Sequence, residues 1–130
     1  MSRFLHKRDD GLFNFVRSTV VHYAEEFALV GLKGVSPLPK KKCHYFGFCG
    51  EDGQILIRVR RINADGTWHR NPDRPYQIID TMAHELAHLR FQGHGKSWFV
   101  LHTAILSRMA QGCTYDKLRE ITTRIKDECR

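Results

Sequence analysis

The segment from Pro75 to about Gln92 constrains the chain most, because it carries two stripes at one period. Ile79, Met82, Leu86 and Leu89 recur in steps of three and four, so a helix gathers them on the side facing a core. Thr81, His84, Glu85 and His88 recur in the same way on a second side. Pro75 falls in the first turn, where a missing amide N–H costs nothing. A fold that accepts this helix buries the first stripe and leaves the second beside a cleft.

The polar stripe contains His84-Glu85-Leu86-Ala87-His88. Four helical residues advance about 400°, so the two imidazoles project within roughly 40° of each other, one turn apart. Both therefore reach one metal ion at about 2 Å, the zinc–nitrogen distance. Glu85 lies one residue off that line, placed to reach a water on the ion without binding the ion itself. The bland alternative is a solvated helix face that happens to hold these residues. A polar stripe kept distinct from the core stripe weighs against it.

Catalytic zinc sites combine three protein ligands with an open position. His94 is the leading third ligand. On a continuing helix it would lie about 9 Å beyond His88 along the axis, but Gly93 and Gly95 are expected to let the backbone swing it back. His102 on the following helix and Glu120 on the last one are the competing ligands.

The rest of the chain supplies a plausible housing. Phe13, Val16, Val20, Tyr23, Phe27 and Val30 predict an amphipathic helix over about 10–30, with Asp9 and Asp10 at its positive end. Gly31, Gly34, Pro37 and Pro39 are expected to end it and prevent a restart. After Lys40-Lys41-Lys42, Cys43–Cys49 reads as a strand, Glu51-Asp52-Gly53 as a hairpin turn, and Gln54–Ile62 as a second strand. In that strand Ile55, Ile57 and Val59 face inward, while Leu56, Arg58 and Arg60 form an outer, basic face. Asn63–Gly66 is a further turn. Helices are predicted over about 96–110, with Trp98, Leu101, Ile105 and Met109 inward, and about 114–127, with Leu118, Ile121 and Ile125 inward. The 130 residues suit one α+β domain with a small antiparallel sheet.

The run Asp80-Thr81-Met82-Ala83-His84-Glu85-Leu86-Ala87-His88, followed by His94-Gly95-Lys96-Ser97-Trp98, resembles the SprT-like and YgjP/WLM group of small metallopeptidase domains. The resemblance covers roughly residues 43–100. It implies a zincin-like domain with Zn2+ held by His84, His88 and His94. It further implies hydrolysis of peptide bonds by water activated at the zinc, with Glu85 as general base. Some members degrade proteins crosslinked to DNA, so DNA-associated proteins are one expected substrate class.

Lysine and arginine exceed aspartate and glutamate by 21 to 14, a formal net charge of +7. That excess suits a nucleic-acid partner or simply a basic surface. An extended peptide could add to the edge of the Gln54–Ile62 strand, with Arg58 and Arg60 as substrate-binding residues drawing acidic groups. A solvated face whose charges block aggregation explains the same two arginines. Two other functions compete with a peptidase: a zinc hydrolase of a nucleotide or small substrate, and a nucleic-acid-binding module with a structural zinc. The second has no use for Glu85, and no Gly-rich phosphate loop favours the first.

No run of apolar residues is long enough to span a bilayer, and Met1–Asp10 lacks the pattern of an export signal, so a cytoplasmic location is expected. Cys43, Cys49, Cys113 and Cys129 show no ligand-like spacing and read as free thiols. His69, Tyr76 and Arg90 are the candidates, by nearness in sequence, for stabilising an oxyanion.

Overall fold

The computed structural model describes residues 4–39 and 46–128. Its elements follow the order α1 (Asp10–Glu26), β1 (Gly34–Pro37), β2 (Gly47–Cys49), β3 (Gln54–Ile57), α2 (Pro75–His88), α3 (Lys96–Gln111) and α4 (Cys113–Glu128). This is an α+β arrangement of four helices and one three-stranded sheet. Helix α2 is central, packing on each of the other helices and on β2 and β3. Its apolar stripe is fully enclosed: Ile78, Ile79, Met82, Ala83, Leu86 and Ala87 are all 0% exposed. Among the described residues no helix is long and apolar enough to cross a membrane.

The sheet is mixed rather than antiparallel. β2 and β3 form the expected hairpin, with Phe48 opposite Leu56, but β1 joins the other side of β3 in parallel, with Val35 opposite Ile55. The Gly- and Pro-rich stretch expected only to break a helix thus supplies a strand. Pro37 is tolerated because β1 is an edge and Pro37 is its last residue. The close approach of the segments leading into β1 and β3 also explains Gly53, whose φ is 89°. A Cβ there would collide with the Gly31 carbonyl oxygen, and the Gly53 carbonyl accepts from the Lys33 amide at 2.9 Å.

Helix α1 is shorter than its periodicity suggests. It ends at Glu26 because Ala28 turns left-handed (φ 54°) and the Leu29 amide donates back to the Ala24 carbonyl. Leu29 rather than Val30 then closes the stripe, at 7% against 85% exposed.

The basic outer face expected on the second strand is absent. β3 ends at Ile57, and the chain beyond it is covered on both sides. Arg58 is 4% exposed and donates to the Pro39 carbonyl at 2.6 Å. Arg60 is 1% exposed and grips Asp9 through two bonds of 2.8 and 2.9 Å. Its remaining Nη1 donates to the His69 and Arg70 carbonyls. Asp9 caps no helix amide; its charge is committed to Arg60. Arg58 and Arg60 are therefore structural, and β3, lying between two partners, offers no edge to a substrate.

Candidate metal centre

Helix geometry sets the first two ligands. His84 and His88 stand one turn apart on α2, with Nε2 atoms 3.2 Å from each other. The helix ends at His88, and the turn that follows is tied down twice. His88 Nδ1 lies 2.9 Å from the Phe91 carbonyl, and Arg90 Nη2 donates to the Phe27 and Ala28 carbonyls at the end of α1. This turn carries His94 back over the helix, with its Nε2 3.1 Å from that of His88 and 3.2 Å from that of His84. The glycines beside it act differently from expectation. Neither Gly93 nor Gly95 has positive φ, and a Cβ on either would meet nothing. Gly95 instead sits extended at the N-cap of α3.

Three nitrogens around a tetrahedral ion with bonds of about 2.0–2.1 Å stand roughly 3.3–3.4 Å apart. The histidine triangle is within a few tenths of an ångström of that figure, so these residues can bind one metal ion. Proton placement agrees. A carbonyl only accepts, so the proton of neutral His88 sits on Nδ1 and its Nε2 lone pair faces the centre. For His84, burial and then the neighbouring His88, His94 and His102 push the pKa down to about 4. It is neutral and ready to ligate at ordinary pH.

Trp98 of α3 forms the floor of the site. Its ring centroid lies 4.7–5.4 Å from those of His84, His88 and His94. On its far side it stacks at 4.8 Å and 7° on His102. His102 is thus no ligand of the triangle. Its Nε2 is 3.1 Å from Asp80 Oδ1, and its ring is 5.9 Å from that of His84. The other competitor, Glu120, is engaged on α4 by Arg124 and Lys117.

Glu85 points from the same helix into a cleft of about 220 Å³, lined also by Phe46, Gly47, Gln77, Asp80, Thr81 and His84. It is 6% exposed, and burial raises its pKa to about 7. A carboxylate so tuned both takes and returns a proton near neutrality. Strand β2 passes directly over it, with Gly47 at the point of closest approach. Phe46 and Gly50 make ladder bonds to Arg58 and Gln54. By the alternation of an antiparallel pair, Gly47 and Cys49 turn their backbone groups to the outer edge.

The three residues singled out for an oxyanion lie elsewhere. His69 bonds to Asn71, Tyr76 packs against Tyr115 at 4.6 Å, and Arg90 is held by α1. The Asp80–His102 pair stands closer, with the His102 ring 5.9 Å from that of His84. Asp80 is four residues before His84 and so was readable as a neighbour on the helix, whereas His102 reaches the site only through the α2–α3 packing. Cys49 and Cys113 are free thiols; Cys43 and Cys129, with Lys40–Lys42, lie outside the described residues. No protein-family model, curated protein or solved structure matches this chain.

Proposed function

We propose that this chain is a zinc-dependent peptidase of zincin type, with His84, His88 and His94 as metal ligands and Glu85 as general base. The observation that carries the reading is the combination of a three-nitrogen triangle with a buried carboxylate one residue along the same helix. A zinc held by three ligands supplies Lewis acidity, polarising a carbonyl and making water easier to deprotonate. Glu85 takes the proton from the attacking water and passes it to the departing amine. The outer edge of β2, at Gly47 and Cys49, holds an extended peptide across the cleft by strand addition.

A structural zinc would call for a fourth protein ligand and would leave Glu85 unexplained. The test is cleavage of a loosely folded protein such as casein by zinc-loaded protein and by Glu85→Gln. Cleavage by the first, lost in the second with zinc retained, supports the proposal. Equal cleavage by both would remove Glu85 from the chemistry. No cleavage by either, with zinc bound, would favour a small-substrate hydrolase or a binding protein.

A further inference from the structure

A second cavity adjoins the histidine cleft and is not used by the chemistry above. It measures about 440 Å³ and shares Phe46 and Gln77 with the cleft. Arg61, Arg74 and Lys126 line it, coming respectively from the segment after β3, the start of α2 and the end of α4. The tertiary fold, not a local basic run, therefore gathers these charges. None of the three forms an ion pair among the described residues, although partners are available elsewhere to Arg60, Arg108 and Arg124. Asp73 lines the same cavity. It is 7% exposed, and its Oδ2 has no hydrogen-bond partner. That oxygen is enclosed, so the carboxylate belongs to the wall, beside Arg61, and the cations are the groups open to a ligand.

We propose that this cavity is a substrate subsite for an acidic residue of a peptide lying across the histidine cleft. The inference rests on the peptidase reading for its geometry. A glutamate or aspartate residue meets the demand of the cavity. Its side-chain carboxylate pairs with the cations from three elements. The path is short, since a peptide paired to β2 at Gly47 passes next to Phe46, the wall common to both cavities. A nucleic-acid strand would meet the same cations but fits less well, because the outward backbone groups of Gly47 and Cys49 on β2 pair with a peptide and not with a phosphodiester. The basic excess read in the sequence thus finds a specific use, in residues other than Arg58 and Arg60.

The test uses two fluorescein-labelled peptides that differ only by Glu or Gln at one position, scanned along the chain. Binding is read by anisotropy and cleavage by chromatography, both with zinc-loaded protein. At one fixed position, the Glu peptide is expected to bind about tenfold tighter than its Gln twin at low salt. Arg61→Gln, Arg74→Gln and Lys126→Gln, all at exposed positions, should each reduce that ratio, and together abolish it. Lys117→Gln on the outer side of α4 should leave it unchanged. Equal binding of the two peptides at every position would overturn the inference, as would a ratio indifferent to the three cations. So would displacement of both peptides by single-stranded DNA with no Glu preference, which would assign the cavity to nucleic acid. A Glu preference in binding with no cleavage would uphold the acidic subsite and reject the peptidase. Cleavage without the preference would do the reverse.

Discussion

Gly47 and Glu85 stand so close that a side chain on the strand residue would have to push its neighbours aside: a Cβ on Gly47 would lie 3.0 Å from Glu85 Cγ and Oε2, and equally close to Thr81 Cγ2. The edge strand and α2 are thus fitted to each other at the proposed general base. Gly47→Ala should displace Glu85 by a few tenths of an ångström or more. Because misplaced reacting groups cost rate steeply, turnover should fall on the order of tenfold to a hundredfold. Zinc affinity should stay nearly constant, since no ligand moves. Peptide-cleavage kinetics beside a zinc titration measure both; a parallel loss of zinc would mean that β2 supports the ligands as well.

The raised pKa of Glu85 has a consequence for the metal-free protein. An acid whose folded pKa lies above its unfolded value adds stability below the unfolded value and loses it as pH rises through the folded one. With Glu85 moved from 4.5 to about 7, that loss falls between those two pH values. Asp73, raised to about 6 by burial, acts in the same sense, while His84, lowered to about 4, acts in the opposite one. Comparison with Glu85→Gln isolates the first. The metal-free variant should be more stable than wild type at pH 8, by on the order of 1–3 kcal/mol, and the gap should close towards pH 4.5. Urea denaturation across pH reads it; a gap independent of pH would contradict the buried, ionisable Glu85.

Asp9 and Arg60 form an ion pair with both side chains enclosed, at 0% and 1% exposure. Asp9→Asn leaves the guanidinium without its counter-charge and should cost about 3–5 kcal/mol. A double replacement by Leu and Met should recover much of that, because an apolar pair avoids desolvation. If the single and double variants unfold at the same denaturant concentration, the loss in Asp9→Asn does not come from a stranded guanidinium.

Trp98, in contact with all three ligand rings, should report metal binding by its fluorescence. Trp68 meets the ring of His6, which is not part of the triangle. Addition of Co2+ should quench emission in Trp68→Phe about as strongly as in wild type, and hardly at all in Trp98→Phe. The reverse pattern would place the ion elsewhere.

The legible parts of the fold were those where one helix supplies its own logic. The apolar stripe of α2 and the inward residues of α3, Trp98, Leu101, Ile105 and Met109, follow from period alone, and all prove buried except Leu89, which lies just past the helix end and is half-buried. The hairpin at Glu51–Gly53 was marked by its turn residues. β1 was hidden because Gly34 and Pro37 discourage a strand locally, and only pairing to β3 makes one. Arg58 and Arg60 misled for a related reason. Alternation assigns a face, but whether that face meets water depends on Asp9 and on segments 38–39 and 69–70, which fold over it from elsewhere. In the site, His84, Glu85 and His88 follow from spacing, and His94 needed the assumption of a turn. That turn is made, but by bonds at His88 and Arg90 rather than by left-handed glycines.

The most direct measurement is a Co2+ titration of metal-free protein followed by visible absorption, on wild type and on His84→Ala, His88→Ala and His94→Ala. One ion should bind per chain, with the intense bands of a low-coordinate nitrogen site, and one equivalent of Zn2+ should displace it. Each alanine variant should lose the bands and bind at least about a hundredfold more weakly. Wild type without such a site, or a site that survives loss of His94, would contradict the three-histidine centre on which the proposed chemistry depends.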